Sequence, residues 1–422
     1  MRGVFFNRNF LLLSVASGVS QIGSQIAFIA TIFWLRNTTD SASLLGLLAT
    51  TAAIPLLLLS PLGGVFADRW SRRKILIVCD IICCLLCVSL MFFSGATSLP
   101  LMFAIVGMFA SNLFLFSCIS FNNPASQAIL PDIVPQHQWE QAMGFRQALN
   151  LISMIGGQAL GALLLTHYSP PILFVIDGAT YLASAAMIFL IRTAKISPKS
   201  EKPLEAPARV YDDIRVAAQY IWRRPGMRLV LIAAIPVSIF TETIIVFLPF
   251  YTTNALSESL SYYPYLLAIF TTGSFLGYAL IAKSTIPAAQ KSVAVTGSLI
   301  LSSAICMSLV LVHTYWVAAL LLLFFGSFMG SVSLLCMNAL VSQTDQDKRG
   351  RVNAILIMLT QGVTPLAMSL LGIAVDLLSG NPAPLYGACG LALLLVALTF
   401  SSSRDVRYFF GNRSTALSGV KS

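Results

Sequence analysis

The stretch GGVFADRWSRRK, residues 63–74, places a dense cluster of charge between two long apolar runs. Its charged residues are one acid followed by four bases: Asp68, Arg69, Arg72, Arg73 and Lys74. Charged residues are only 10% of the whole chain, whereas an average soluble domain carries about 25%. With a mean hydropathy of +0.83, the chain is too apolar for a soluble protein of this size, and the cluster needs a specific reason.

Apolar runs like the two that flank this stretch recur along the chain. A helix needs about 20 apolar residues to cross the hydrocarbon core of a bilayer. We count twelve such runs, near 10–35, 43–66, 75–95, 99–123, 139–166, 171–192, 227–252, 260–282, 292–312, 314–340, 351–376 and 383–402. They lack the strict alternation of barrel strands, and a helix satisfies its own backbone in lipid. The sequence therefore predicts an all-α integral membrane protein with twelve transmembrane helices.

The basic residues predict how these spans are oriented. If both termini are cytoplasmic, all but two of the 26 Lys and Arg residues lie in cytoplasmic loops, tails or helix ends. The exceptions are Arg36 and Arg146, so the positive-inside rule is strongly obeyed. The net charge of +10 therefore indicates topology and contact with anionic lipid, and we expect no nucleic-acid partner. Arg2 and Arg8 precede an apolar run longer than the core of a secretory signal, which predicts a first span.

The longest polar segment, 193–226, divides the spans into two sets of six. Its first part is rich in Pro, Lys and Ser and is typical of a linker. Apolar residues at helical spacing in its second part indicate an amphipathic helix on the cytoplasmic membrane surface, with a charged tether as the alternative. The halves look like weak repeats. We therefore expect an N-terminal six-helix bundle (1–192), the linker with its amphipathic helix (193–226), a C-terminal six-helix bundle (227–402) and a cytoplasmic tail (403–422).

The opening stretch carries the pattern G-x-x-x-D-R-x-S-R-R from Gly64 to Arg73, which resembles the loop 2–3 signature of the major facilitator superfamily. Ser71 replaces the second glycine of that signature. Three other stretches resemble its macrolide-efflux and enterobactin-exporter branch: FNNPASQAILPDIVP, FVIDGATYLASA and RGRVNAILIMLTQGVTPLAMSLLGIAVD. The resemblance implies two six-helix bundles in a bacterial cytoplasmic (inner) membrane and proton-coupled export of drugs, siderophores or similar molecules. As partners we expect a small-molecule substrate, protons and membrane lipid, and we expect a monomer.

The resemblance also implies a gate. Asp68 occupies the position at which the family's loop acid docks on the cytoplasmic start of span eleven, near Arg349 and Arg351. A helix N-terminus favours an anion there. The other residues of the predicted gate come from the opening stretch: Gly64, Arg69, Arg72 and Arg73. Such a gate would latch the two halves on the inside and stabilise the outward-open state.

The chain departs from the family pattern at three places. Span four contains no arginine, although many drug:proton antiporters carry one there. In the span-five antiporter motif, Gln158 stands where proline is usual and Ala162 where glycine is usual. In span one, Ser24 follows Gly23 where many members have Asp. These departures bear on the details of coupling and leave the fold expectation unchanged.

Ionisable side chains within spans are costly and are therefore functional candidates. We predict Glu242 in span seven and Asp177 in span six as proton carriers, because burial favours the neutral form of a carboxyl group. The alternatives are hydrogen bonding of Glu242 through Thr241 or Thr243, and a helix-anchoring role for Asp177. Asp80, near the cytoplasmic end of span three, is expected to pair with the Arg-rich loop.

A polar stripe runs along span five, with spacings that place its members on one helical face. Its members are Arg146, Asn150, Ser153, Gly157 and Gly161. We expect the Arg146 end to line a cavity for an anionic substrate and the glycine end to pack against another helix. The resemblance implies that spans one, four, seven and ten line the cavity. Further predicted substrate contacts, each with interhelical hydrogen bonding as the alternative, are Gln21, Gln25, Asn123, Asn338 and Gln361.

Other chemistry is absent from the sequence. It contains no nucleotide-binding loop of the GxxxxGK[ST] type, no Ser–His–Asp arrangement and no histidine deep in a span. Cys79, Cys83 and Cys87 share one helical face, which would suit a soft metal, but cysteine is often a small buried hydrophobe. We therefore expect no metal site, no cofactor and no enzymatic activity. Competing functions are an importer or lipid flippase on the same fold, and a non-transporting sensor or scaffold.

Overall fold

The computed structural model describes residues 7–96, 98–191, 215–216, 218–284, 286–345 and 348–411. Throughout these residues the regular secondary structure is helical, and twelve helices are long and apolar enough to cross a membrane. They are α1 (Arg8–Thr39), α2 (Ala42–Arg69), α3 (Arg72–Gly95), α4 (Leu101–Ala128), α5 (Trp139–His167), α6 (Pro170–Phe189), α7 (Pro225–Val246), α8 (Tyr263–Lys283), α9 (Ala288–Ser308), α10 (Tyr315–Gln343), α11 (Arg349–Leu377) and α12 (Ala383–Ser402). The predicted all-α class and the predicted number of spans are confirmed.

Local sequence explains where several of these helices begin. The side chain of Asn7 accepts hydrogen bonds from the backbone N–H groups of Asn9 and Phe10, and so caps the start of α1. Proline occupies the first turn of α6, α7 and α12, where its missing N–H is not needed. Only Trp70 and Ser71 separate α2 from α3, so the charged stretch spans two helix ends rather than a long loop.

The helices fall into two compact units. The first unit comprises Met1–Leu204 and Leu260–Ala268, and it contains α1 to α6. Within it, α1 packs against α5 and α6, α3 packs against α4 and α6, and α2 packs against α4. The hydroxyl of Tyr263, which belongs to this unit, donates to the carbonyl oxygen of Ile29 at 3.0 Å, and both residues are buried.

The second unit comprises Glu205–Ser259 and Ile269–Ser422 and repeats this pattern of pairs. Its first helix, α7, packs against α11 and α12, and its third, α9, packs against α10 and α12. Its second and fourth helices approach closely at glycine: a Cβ atom on Gly273 of α8 would lie 2.1 Å from the carbonyl oxygen of Leu323 in α10. In the first unit, a Cβ on Gly63 of α2 would lie 2.4 Å from the carbonyl oxygen of Ser120 in α4. The repetition of helix pairs supports an internal duplication.

A short amphipathic helix, α13 (Arg404–Gly411), follows α12 in the second unit. Val406, Phe409 and Phe410 are buried, and the helix packs against α7 and α9. The approach to α7 is close, because a Cβ on Gly226 would lie 2.5 Å from the carbonyl oxygen of Asp405. The segment after the last span therefore begins as a packed part of this unit.

Candidate functional site

The side chain of Arg72, in the opening stretch, makes three contacts within the first unit. Its guanidinium donates to the carbonyl oxygens of Ala67 at 3.2 Å and Ala128 at 2.9 Å. It also forms an ion pair with Asp132, with 2.7 Å between Nη1 and Oδ2. The start of α3 is thereby joined to the ends of α2 and α4.

The remaining residues of the predicted gate have different surroundings. Arg73 donates to the carbonyl oxygen of Phe189, and its guanidinium lies 5.0 Å from the centre of the Phe189 ring, which ties α3 to the end of α6. Arg69 is exposed, and so is Lys74, the last base of the opening stretch, which the predicted gate does not include. Gly64 is partly buried and no atom lies within 4 Å of the position of a Cβ. Four predicted site residues have side chains outside the described part of the chain: Asp68, Arg349, Arg351 and Gln361.

Asp80 does not pair with the Arg-rich loop, so that expectation is wrong. Its carboxylate is buried and accepts hydrogen bonds from Asn122 Nδ2 at 3.1 Å and Ser184 Oγ at 2.7 Å. Arg72 and Arg73 do not pair with Asp80, because they donate to carbonyl oxygens at the ends of α2, α4 and α6. Asp80 therefore joins α3, α4 and α6.

Asp177 occupies a comparable position near the other end of the α3–α6 interface. It is 1% exposed, and its carboxylate accepts from the thiol of Cys87 and the hydroxyl of Thr180, each at 3.3 Å. A Cβ on Gly23 of α1 would lie 2.6 Å from Asp177 Oδ1, so the glycine is needed for α1 to approach this carboxylate. Asp177 is thus enclosed by α1, α3 and α6.

Glu242 has the opposite environment. Its side chain is exposed, and it makes no hydrogen bond or ion pair with any other described residue. The two neighbouring hydroxyls do not bind it, because Thr241 donates to the carbonyl oxygen of Val237 and Thr243 to that of Ile239. The alternative of a Glu242 held by its threonine neighbours is therefore not what the structure shows.

The direction in which the side chain of Glu242 points follows from the contacts of the residues beside it on α7. Thr241 contacts Met329 of α10, and Thr243 contacts Met368 of α11. The carbonyl oxygen of Ile244 accepts from a tyrosine hydroxyl of α12. Successive residues of a helix are about 100° apart, so Glu242 lies between the α10 and α11 flanks and opposite α12. It points out of the second unit.

A hydrogen bond joins the parallel helices α1 and α5 at two glutamines. Gln158 Nε2 donates to Gln25 Oε1 at 3.2 Å, next to Gly157, where a Cβ would lie 2.8 Å from the carbonyl oxygen of Ile22. Gln158 is 4% exposed, and its own Oε1 has no partner among the described residues. Ser153 is also buried in this interface, against Gly18. The middle of the polar stripe is therefore a packing surface.

The guanidinium of Arg146, at the start of the stripe, already makes hydrogen bonds within the first unit. Its Nη1 donates to the carbonyl oxygen of Ser126 at 2.9 Å, and its Nη2 lies 2.6 Å from the Ser126 hydroxyl oxygen. Ser126 is in the last turn of α4, where carbonyl oxygens lack partners within the helix. The guanidinium thus caps the C-terminus of α4.

The remaining predicted substrate contacts are amides of intermediate or high exposure. Gln21 on α1 and Asn150 on α5 are partly buried in the first unit, and Asn123 on α4 is exposed. Asn338 on α10 is exposed in the second unit. Each of these side chains offers an uncharged hydrogen-bond donor and acceptor.

Sequence reasoning missed two residues that shape this region. Asp132 is the ion-pair partner of Arg72, and the only signal for it was an acid directly after span four in the stretch LPDIVP. Gln158 was noticed as a departure from a proline, but its partner Gln25 could not be found from spacing because the two lie on different helices. Among the described residues, no group of His, Cys, Asp and Glu side chains is arranged to hold a metal ion.

Comparisons with known proteins agree with this architecture. Macrolide efflux protein A of Streptococcus pyogenes is 27% identical over 45% of this chain, and the chain spans only about half of that relative's length, 46%. The Staphyloferrin A transporter of Staphylococcus aureus (strain NCTC 8325 / PS 47) is 23% identical over 89% of this chain and 90% of its own. The crystal structure of the nucleoside transporter NupG shares the fold, with a TM-score of 0.72 and 13% identity over 93% of this chain and 98% of that one.

These relatives are named for efflux or transport, and none of the three is named as an enzyme. The profile of one family, described as the Major Facilitator Superfamily, matches residues 13–368, which is most of the sequence. The twelve spans, the repeated helix pairs and this match lead to one conclusion: the chain belongs to the Major Facilitator Superfamily.

Proposed function

We propose that this protein exports small amphiphilic organic molecules, a drug or a siderophore, by alternating access in antiport with protons. Its relatives include proteins named for macrolide efflux and for staphyloferrin A transport, which supports this substrate range. The observation that carries the coupling mechanism is the exposed carboxyl group of Glu242, which has no partner in the described part of the chain and points out of the second unit.

A carboxyl group in this position needs water or an exchangeable partner. Glu242 is the eighteenth of the 22 residues of α7, and helical turns continue past it to Ala255, so a charged side chain that faced hydrocarbon there would be strongly unfavourable. A water-filled transport pathway is the environment that tolerates it. There the carboxyl group can take up a proton from one side and release it to the other as the protein changes conformation.

Asp177 is the second candidate for the proton. Its carboxylate would have to give up its hydrogen bonds from Cys87 and Thr180 before it exchanged a proton with water. Because it is almost fully enclosed by three helices, we assign the exchange to Glu242 and helix positioning to Asp177.

For substrate recognition we propose an uncharged polar lining. The accessible amides of Gln21, Asn123, Asn150 and Asn338 supply its hydrogen bonds, and Gln361 remains part of this proposal. A lining of this kind suits molecules with several polar groups on an apolar framework.

We propose that the protein lies in a bacterial cytoplasmic membrane with both termini in the cytoplasm. The opening stretch would be part of its cytoplasmic gate. Arg72 and Arg73 are held within the first unit, which fixes the helix ends on either side of the stretch. The residues that we propose to form the gate contact are Asp68, near the end of α2, and Arg349 and Arg351, at the start of α11. Asp68→Asn should slow transport without changing the order of preferred substrates.

Reconstitution tests the coupling proposal. The purified protein is reconstituted into proteoliposomes, and a pH gradient is imposed across their membrane. The accumulation of a macrolide and of an iron-free siderophore is then followed. We expect Glu242→Gln to abolish accumulation driven by the gradient while downhill substrate movement persists. Glu258→Gln is the matched control, because Glu258 follows α7 outside the span. Unchanged gradient-driven accumulation in Glu242→Gln would remove this residue from coupling.

The same vesicles separate the alternatives. An importer on this fold would accumulate substrate in the opposite direction under the same gradient, and a flippase would move a fluorescent phospholipid between leaflets. A sensor or scaffold would move neither. Antiport requires that the substrate move in the direction opposite to that of the protons.

A further inference from the structure

The chain just before α7 is fixed on one side by an aromatic ring between two cations. The guanidinium carbon of Arg224 lies 4.3 Å, and Lys348 Nζ 4.7 Å, from the centre of the Tyr220 ring. The backbone N–H of Asp345 donates to the Tyr220 hydroxyl at 3.1 Å, and the Asp345 carboxylate pairs with both cations, at 3.6 and 3.4 Å. We call Tyr220, Arg224, Asp345 and Lys348 the Tyr220 clamp. It attaches residues 218–224 to the connection between α10 and α11.

Two residues after Tyr220, the side chain of Trp222 is largely exposed. Ile221 is 6% exposed and packs inward, whereas the indole of Trp222 is 66% exposed. The guanidinium carbon of Arg228, one turn into α7, lies 5.0 Å from the centre of the Trp222 ring. Arg223 is exposed, and neither Arg223 nor Arg228 has an acidic partner among the described residues. The result is an exposed aromatic ring that Arg228 contacts, with the exposed base Arg223 at the next residue, and neither base has an acidic partner in the described part of the chain.

The depth of this cluster in the membrane follows from the span that it precedes. The apolar helix α7 begins at Pro225, three residues after Trp222. The cluster therefore lies at the level of lipid headgroups, where tryptophan is enriched because its ring is apolar and its N–H is polar. Arg228, although inside the helix, can extend along the indole to the same level.

We propose that Trp222, Arg223 and Arg228 form a binding site for the phosphate headgroup of an anionic phospholipid. Guanidinium groups bind phosphate oxygens in a bidentate manner, and the indole supplies the apolar contact for the upper part of the acyl chains. Arg224 is excluded from the site because it binds the carbonyl oxygen of Gln343 and the carboxylate of Asp345. The site is independent of the substrate and of proton coupling.

This site would give the segment before α7 two attachments. The Tyr220 clamp holds its protein-facing side, and a bound lipid holds the side that carries Trp222. The lipid would therefore hold the chain immediately before α7 from the side opposite the clamp.

Fluorescence quenching tests the proposal in the full-length protein. The protein is placed in vesicles of phosphatidylcholine with a minor fraction of phosphatidylglycerol, and bromine quencher is carried on the acyl chains of either lipid at equal mole fraction. The emission of Trp222 is the difference between the wild type and Trp222→Phe. We expect brominated phosphatidylglycerol to quench this emission more strongly, with a local enrichment of about fivefold for each arginine.

Two variants complete the test. Arg223→Gln combined with Arg228→Gln should make the two brominated lipids equally effective. Lys283→Gln, which removes an exposed base in the last turn of α8, should leave the preference unchanged. Equal quenching by the two lipids in the wild type would overturn the proposal, and that comparison does not depend on how the double variant folds. A preference that survives the double variant, or Trp222 emission that neither lipid quenches, would overturn it as well.

Discussion

Arg72 and Asp132 form a partly buried ion pair, with side chains 23% and 13% exposed, that joins the start of α3 to the segment after α4. The same guanidinium also donates to two backbone carbonyl oxygens, those of Ala67 and Ala128. One base of the opening stretch therefore ties three helix ends together. These contacts hold the stretch in place within the first unit, which the positive-inside rule alone does not require.

We expect Arg72→Lys to destabilise the protein nearly as much as Arg72→Ala. An ammonium group carries its three donors on a single nitrogen, so it cannot span the acceptors that the planar guanidinium reaches from Nε and Nη1. In a double-mutant cycle with Asp132→Asn, we expect a coupling energy within the range of about 0.5–3 kcal/mol that contacting residues show. Thermal unfolding of the purified protein in detergent measures it.

Arg69→Gln is the control for this cycle, because Arg69 is exposed in the same stretch. It should leave the midpoint of unfolding unchanged. Additive effects of the Arg72 and Asp132 substitutions would show that the pair contributes nothing.

The hydrogen bond between Gln25 and Gln158 predicts the order in which leucine substitutions at these two positions destabilise the protein. Gln25→Leu leaves the amide of Gln158 buried with neither end bonded, which costs about 1–3 kcal/mol. Gln158→Leu removes the buried amide itself and should cost less. The double replacement by leucine should be more stable than Gln25→Leu alone.

Thermal unfolding of the four proteins checks this order. The reverse order, with Gln158→Leu the least stable, would mean that the buried amide makes a stronger interaction than its bond to Gln25. A suitable control is Gln21→Leu, one turn away on α1 and only partly buried, which should have little effect.

Periodicity and hydropathy were sufficient to predict the helical class and the twelve spans, because a lipid environment leaves the backbone few alternatives. The partners of polar side chains could not be predicted in the same way. Asp80 was assigned to nearby bases six to eleven residues away, but it binds Asn122 and Ser184 from helices distant in sequence. Arg146 was expected to line a cavity for an anionic substrate, although its acceptor in the structure is a backbone carbonyl oxygen that no sequence pattern reveals.

Asp345 gives a prediction about pH. Partial burial acts to raise its pKa, but Arg224, the Tyr220 hydroxyl and Lys348 outweigh this, so the pKa lies below its ordinary value. A carboxyl group with a lowered pKa in the folded state stabilises that state above its unfolded pKa of about 3.9, and this contribution is lost as the pH falls further. The pairs are half exposed, so we expect less than about 1 kcal/mol.

We therefore expect Asp345→Asn to unfold at a slightly lower temperature than the wild type at pH 7 and pH 5. The difference should shrink below about pH 4. Asp405→Asn, a change at an exposed acid of α13, should show no such difference. A gap that widens on acidification would contradict the assigned direction of the shift.

Arg146 allows a test between the predicted substrate-binding role and the helix-capping role that its contacts indicate. Its guanidinium donates to the carbonyl and hydroxyl oxygens of Ser126 at the end of α4. We expect Arg146→Ala to lower stability by about 1.5–3 kcal/mol, as loss of hydrogen bonds to a charged group does. It should reduce transport of anionic and cationic substrates equally, and Arg146→Lys should recover only part of the loss.

Uptake of one fluorescent anion and one fluorescent cation into proteoliposomes, at matched amounts of protein, measures this. Gln147→Ala, at the exposed next residue, is the control. A loss confined to the anion would instead place Arg146 in the substrate site, because a helix cap has no means of distinguishing the charge of the substrate.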